Sequence, residues 1–255
     1  PETFAEYWEE WGNKQNDSIG CILFKIGELE KKQPGALNLD DDDRRVIQKL
    51  VWYLSTLEYW HDPDSGMWEE GQEIHASSVG ACLAGLRMIQ NIEGIIVPPE
   101  LLTKGDETLR TMLPRESKSK FVDLALLSLV WPYDVVSQTE AEIIVGNVEY
   151  HLLKQRGVIR YKGDHYYNKN PDGWSEEAEW TFGLSWLAII HDQLGHTEKA
   201  KKFLGQAKET VARNGAIPEL YLSNSTKHND NIPLGLSESL FIVALHDVNE
   251  NQLKK

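Results

Sequence analysis

The fold is decided by the stretch TFGLSWLAIIHDQL, residues 181–194, which is apolar on almost every side of a helix. A helix of this kind is usually buried on several sides, because it has no continuous polar face for water. Residues 121–131 have the same character, and elsewhere apolar residues recur at helical spacing, as they do between Val46 and Leu57. Strand-like alternation is scarce, so we predict an all-α fold.

Ten segments are predicted to be helices from this pattern: residues 1–10, 18–31, 42–60, 75–92, 99–112, 119–131, 137–154, 177–194, 196–213 and 236–250. Turns rich in Pro, Gly and Asp separate them, and no Gly/Ser linker divides the chain, so residues 1–255 are expected to form a single domain. The best short strand candidates are 157–161 and 216–221. The acidic run Asp40–Asp43 is expected to favour the positive end of the following helix rather than to bind calcium.

Charge and composition exclude several classes of protein. The 255 residues include 26 Lys and Arg against 40 Asp and Glu, a net charge of −14 that repels nucleic acid and anionic membrane surfaces. No apolar run is long enough to span a membrane. Cys21 and Cys82 lie in apolar, helix-like stretches, so each is expected to be a buried free thiol. Zinc spacings and the common nucleotide-binding and hydrolase motifs are absent from the sequence.

The chemistry is expected on loops that combine acids with aromatic rings, since nine of the residues are Trp and nine are Tyr. In residues 60–70, WHDPDSGMWEE, two glutamates follow Trp68, and a carboxyl group packed against an indole is suited to act as a general acid. A plain solvated acid pair would look the same. In residues 215–221, GAIPELY, Glu219 follows Pro218 and so has a constrained backbone, although it could equally be an exposed loop residue.

A third loop, residues 157–167, supplies Arg160, Asp164 and three tyrosines. This mixture suits a ligand with many hydroxyl groups, and it would equally suit a surface ion pair. One carboxylic acid and one carboxylate on different loops are what glycoside hydrolysis requires, because one protonates the leaving oxygen and the other activates water or attacks the sugar.

The sequence also resembles a known family. Residues 62–70 with 76–80 resemble the glucoamylases, glycoside hydrolase family 15, and are especially similar to the glucoamylase-like domain of phosphorylase kinase alpha and beta subunits. Four further segments resemble the family in the same order along the chain: Trp11–Asp17, Met112–Arg115, Ile217–Tyr221 and Pro233–Ser237.

The resemblance implies an (α/α)6 toroid with an active site on its inter-helix loops. It implies an inverting exo-hydrolase that releases glucose from α-glucans or malto-oligosaccharides, without metal or cofactor. A cytoplasmic location is a separate expectation. By motif position, Glu69 resembles the general acid and Glu219 the general base. The residues that resemble the family's sugar contacts are Trp11, Trp68, Glu70, Arg160 and Asp164.

Three features depart from the family pattern. The family's Arg-Asp pair for the terminal sugar has no match, and only ten residues precede Trp11, so the toroid is expected to be incomplete at its N-terminus. Ser18 stands where the family has Gly, and Leu236 where it usually has Trp. Two other functions therefore stay open. One is a non-catalytic oligosaccharide-binding module of the phosphorylase kinase type, and the other is a helical scaffold that docks a protein partner.

Overall fold

The computed structural model describes residues 13–168 and 176–253, with side chains as far as residue 249. The chain divides into two compact units, residues 1–113 and 114–255. The helices of the first unit are α1 (Asn16–Lys32), α2 (Asp41–Leu57), α3 (Ala76–Ile89) and α4 (Pro99–Met112). Single-domain organisation over 1–255 stays a prediction.

In the first unit, α1 and α3 pack closely because glycines line their crossing. A Cβ atom at Gly20 would lie 2.5 Å from the backbone nitrogen of Cys82, and one at Gly85 would lie 2.5 Å from the carbonyl oxygen of Gly20. Apart from two half-buried residues, Arg87 and Met88, the whole of α3 is buried. The crossing therefore brings two backbones together at a distance that no side chain would allow.

The second unit begins with a 3-10 helix, Leu124–Leu126, that runs into the short helix α5 (Leu127–Val130). Its other elements are α6 (Gln138–Leu152), β1 (Glu179–Trp180), α7 (Phe182–Gln193), α8 (Thr197–Glu209), β2 (Leu220–Tyr221) and α9 (Gly235–Leu253). Residues 182–191 of α7 are all buried, as the apolar pattern predicts, and α7 packs against α8 and α9. β1 and β2 are antiparallel, with Glu179 opposite Tyr221 and Trp180 opposite Leu220.

The described residues contain nine α-helices and two short strands, which confirms the all-α class. Two predicted helix starts are wrong. The segment 177–194 becomes helical only at Phe182, because residues 179–180 pair as β1. The segment 119–131 becomes helical only at Leu124, because Asp123 forms an antiparallel bridge with Tyr161 and its carboxylate accepts from the Ala125 N–H. The predicted helix 1–10 lies outside the described residues.

Cys82 is buried, as expected, but Cys21 is exposed. The reason is the position of Cys21 on α1, whose buried residues follow the spacing of Gly20, Leu23 and Gly27, so that Cys21 faces outward. At the start of α2, Asp40 and Asp43 form a reciprocal capping box, which confirms the helix-end interpretation of the acidic run. No helix within residues 13–168 or 176–253 is long and apolar enough to cross a membrane.

Candidate active site

In the first unit, the loop that contains Glu69 is closed at its base by backbone pairing. The N–H of Asp64 donates to the carbonyl of Glu73 at 2.9 Å, and the N–H of Glu73 donates back at 3.0 Å. Inside this bridge, the N–H of Glu70 donates to the carbonyl of Ser65 at 3.0 Å. Glu69 is therefore presented at the tip of a closed loop rather than on a free one.

Lys14 and Asn16, the latter being the first residue of α1, fix this loop from the other side. The Ser65 N–H donates to the Lys14 carbonyl at 2.7 Å, and the Asn16 N–H donates to the buried carboxylate of Asp64 at 2.9 Å. Asp62 accepts from the side chains of both Lys14, at 2.7 Å, and Asn16, at 2.8 Å. The described part of the Trp11–Asp17 segment therefore holds the loop that contains Glu69 in place.

Glu69 itself has a left-handed backbone, with φ 56°, and is exposed. A non-glycine residue in this region costs on the order of 1–3 kcal/mol, and such residues cluster at functional sites. Trp68 and Glu70 beside it are half-buried. His75 is buried, and a Cβ at Gly66 would lie 2.9 Å from its ring, so His75 packs beneath the loop.

In the second unit, the backbone of Glu219 is fixed on both sides. Its carbonyl accepts from the Thr181 N–H at 3.2 Å, and its own N–H donates to the carbonyl of Asn231 at 3.0 Å. The Thr181 hydroxyl donates to the carbonyl of Pro218 at 2.6 Å. The half-buried Glu219 side chain accepts two amide hydrogen bonds on the same oxygen, Oε2, from Asn229 at 2.6 Å and from Asn231 at 2.7 Å.

The guanidinium group of Arg160 lies against two aromatic rings in the second unit. Arg160 and Asp164 form a bidentate, buried ion pair with both N–O distances at 2.7 Å. The guanidinium carbon of Arg160 is 4.8 Å from the Trp180 ring centroid and 5.3 Å from that of Tyr166. The two rings stack on each other at 5.7 Å. Burial raises the pKa of the Tyr166 hydroxyl, and the negative charge of Glu219 raises it further.

The structure therefore groups the predicted residues within each unit. Trp68, Glu69 and Glu70 share one loop of the first unit. In the second unit, Arg160 pairs with Asp164 and lies against Trp180, whose strand partner Leu220 directly follows Glu219. Trp11 lies outside the described residues. The sequence interpretation missed Trp180, Asn229 and Asn231, and a visible signal existed only for the asparagines, which alternate in Asn229-Asp230-Asn231. In the part of the chain that is described, no three His, Cys, Asp or Glu side chains are placed to hold a metal ion.

The sequence model of "Glycosyl hydrolases family 15" matches residues 6–172, well over half of the chain and a range that contains Glu69 and Arg160 but not Glu219. A "Probable phosphorylase b kinase regulatory subunit alpha" from Caenorhabditis elegans is 26% identical over 254 residues, which cover 84% of this chain and 20% of that protein. The chain thus spans about a fifth of the length of such a subunit.

Two solved structures show the fold. A glycosidase variant in complex with glucose aligns with a TM-score of 0.72 and 20% identity, covering 92% of this chain and 67% of the other. The glucoamylase of Hormoconis resinae aligns with a TM-score of 0.69 and 13% identity, covering 95% of this chain and 54% of the other. The predicted glucoamylase-type fold is confirmed by this likeness.

Proposed function

The chain belongs to glycosyl hydrolases family 15, and from that premise we propose that it is an inverting, exo-acting hydrolase of α-glucans or malto-oligosaccharides that releases glucose. One observation supports this more than any other. Glu69, the residue at the family's general-acid position, is an exposed glutamate in a left-handed conformation on a loop that buried hydrogen bonds hold in place. Backbone strain of this kind is frequent at active sites.

In the proposed mechanism, Glu69 protonates the glycosidic oxygen while Glu219 takes a proton from the attacking water. Inversion requires the two carboxyl groups to stand about 6.5–9.5 Å apart, with the water on the Glu219 side of the sugar. The inverted sugar then leaves as β-glucose. Neither step needs a metal or a cofactor.

The remaining residues have binding roles in this proposal. Trp68, Glu70 and Trp11 contact the sugar on the acid side. Arg160 offers donors to sugar hydroxyls, and Asp164 acts through Arg160 because its buried carboxylate accepts from that guanidinium. A cytoplasmic location stays a prediction from the sequence.

The test is the anomer released from maltotriose, followed by ¹H NMR in the first minutes of the reaction. We expect β-glucose first, and an initial α-anomer would refute inversion. Glu69→Gln and Glu219→Gln should each lower kcat by about 10²–10⁴-fold, because a positioned acid or base contributes that much. Glu100→Gln, an exposed glutamate in the first turn of α4, is the control and should keep full activity.

A second function is favoured by the similarity to a phosphorylase b kinase regulatory subunit. In that case the same residues bind an oligosaccharide without cleaving it. Isothermal titration with maltotriose separates the two functions. Binding by both the parent and Glu69→Gln, with no hydrolysis by the parent, would support the binding module and exclude the hydrolase. If no α-glucan binds or changes tryptophan fluorescence, both sugar-based functions fail and the scaffold function is favoured.

A further inference from the structure

The segment 228–231 runs beside the strand that follows Glu219. The Glu219 N–H donates to the carbonyl of Asn231, and the Asn229 N–H donates to the carbonyl of Leu220 at 3.3 Å, while Tyr221 and His228 form an antiparallel bridge. Residues two apart in extended backbone point to the same side. The side chains of Asn229 and Asn231 therefore reach one target, the carboxylate of Glu219.

Both amides donate to the same carboxylate oxygen, Oε2, at 2.6 and 2.7 Å. The other oxygen, Oε1, accepts no hydrogen bond from any residue that the structure describes. We propose that Asn229 and Asn231 are positioning residues that fix the Glu219 carboxylate through Oε2 and leave Oε1 to take the proton of a water. This inference rests on the proposed function, in which Glu219 is the base.

The chemistry of the amide group suits this task. An amide N–H stabilises the charged form of a carboxylate and fixes its orientation. Since the amide carries no net charge, it depresses the basicity of the other oxygen less than a paired Lys or Arg would. The clamp therefore orients the Glu219 carboxylate through Oε2 and leaves Oε1 able to accept a proton.

The burial of Asn229 is a second observation in favour of the clamp. Only 6% of this residue is exposed, and its Oδ1 has no hydrogen-bond partner among the described residues. A buried amide with one end unsatisfied costs free energy, so it needs an explanation beyond packing. Its hydrogen bond to Glu219 provides one.

The experiment uses Asn231→Leu in the full chain, since Asn231 is exposed and its replacement leaves the core intact. Loss of one donor should lower kcat for maltotriose by roughly tenfold, because only one amide then orients the Glu219 carboxylate. KM should change less than twofold. Asn91→Leu, at an exposed asparagine just beyond α3, is the matched control and should leave both constants unchanged.

A second measurement does not depend on hydrolysis. In protein labelled with ¹³C at the glutamate carboxyl carbons, the Glu219 resonance is assigned by its loss in Glu219→Gln. It should move in Asn231→Leu, because one of the two hydrogen bonds to Oε2 is lost, and it should stay in place in Asn91→Leu. An unmoved resonance in Asn231→Leu would overturn the clamp. A moved resonance in a chain that cleaves no α-glucan would uphold the clamp on Glu219 and refute the hydrolase instead.

Discussion

Glu149 on α6 is held by two partners from other helices. His191 of α7 lies 2.9 Å from its carboxylate, and Lys199 of α8 lies 2.9 Å from the same oxygen. Partial burial alone would raise the pKa of Glu149, but the hydrogen bonds and charges of His191 and Lys199 outweigh it and lower the pKa to about 2. A carboxylate shifted in this direction stabilises the fold above its unfolded pKa and loses that contribution as the pH falls.

Glu149→Gln should therefore lower the free energy of unfolding by about 1–2 kcal/mol at pH 7, after allowance for solvent screening. The difference from the parent should shrink between about pH 5 and pH 2, the window between the ordinary pKa of 4.5 and the lowered value. Urea unfolding at pH 7, 4.5 and 3 measures it, with Glu100→Gln as the exposed control. A difference that stays constant over these three pH values would contradict the assignment.

For single residues, the sequence identifies candidate acids but not the side chains that hydrogen-bond to them. Glu219 stands out because Pro218 precedes it, and Glu69 because Trp68 does. The two amides that bind Glu219 lie ten and twelve residues further along the chain, on the other side of a hairpin. No spacing rule in the sequence predicts contacts of this kind. The local pattern predicts a helix at Trp180, so its place beside Arg160 cannot be predicted from the sequence.

The close crossing of α1 and α3 is the feature to test at the level of elements. Gly20→Ala would push a methyl group into the backbone of α3, so it should destabilise the protein by about 1–3 kcal/mol, as overpacked cores do. Gly146 on α6 is the matched helical control, because a Cβ there meets nothing within 4 Å. Gly146→Ala should stabilise by about 0.5–1 kcal/mol through helix propensity.

Urea midpoints of the two variants measure this contrast. Equal midpoints for Gly20→Ala and Gly146→Ala would show that the crossing tolerates a methyl group, against the geometry. A lower urea midpoint for Gly20→Ala alone would support the close backbone contact between α1 and α3.

The predicted helix bounds agree best with the structure where a local sequence signal marks one terminus of the helix. The segment 99–112 is predicted and observed with the same bounds, because Pro98 and Pro99 fix its start. The predicted starts at 119 and 177 are wrong because residues that read as helical pair instead with distant backbone, Asp123 with Tyr161 and Trp180 with Leu220. Such pairing depends on tertiary structure, which a local pattern does not contain.

The net charge of −14 bears on the whole molecule. An α-glucan is neutral, so its recognition gains little from long-range attraction. KM for maltotriose should therefore change less than about twofold between 50 and 500 mM NaCl, a range over which screening removes surface electrostatics. Steady-state kinetics at four salt concentrations measure this, and a tenfold change would indicate that a charged group dominates binding.

The fold class follows from residue pattern because helical periodicity extends over most of the chain. Family membership follows from short motifs in order, and the match over residues 6–172 confirms it. Function is less accessible, because the same motifs occur in a glycosidase family and resemble a kinase regulatory subunit of about five times this length. The difference between cleaving and binding a sugar lies in the placement of a few atoms.

The left-handed backbone of Glu69 has a consequence for engineering. Glycine or asparagine would occupy that position with less strain, so a directed-evolution screen that rewards heat resistance alone should enrich Glu69→Gly and discard the acid. Any laboratory that evolves this chain for durability should therefore include sugar turnover or sugar capture among its selection criteria.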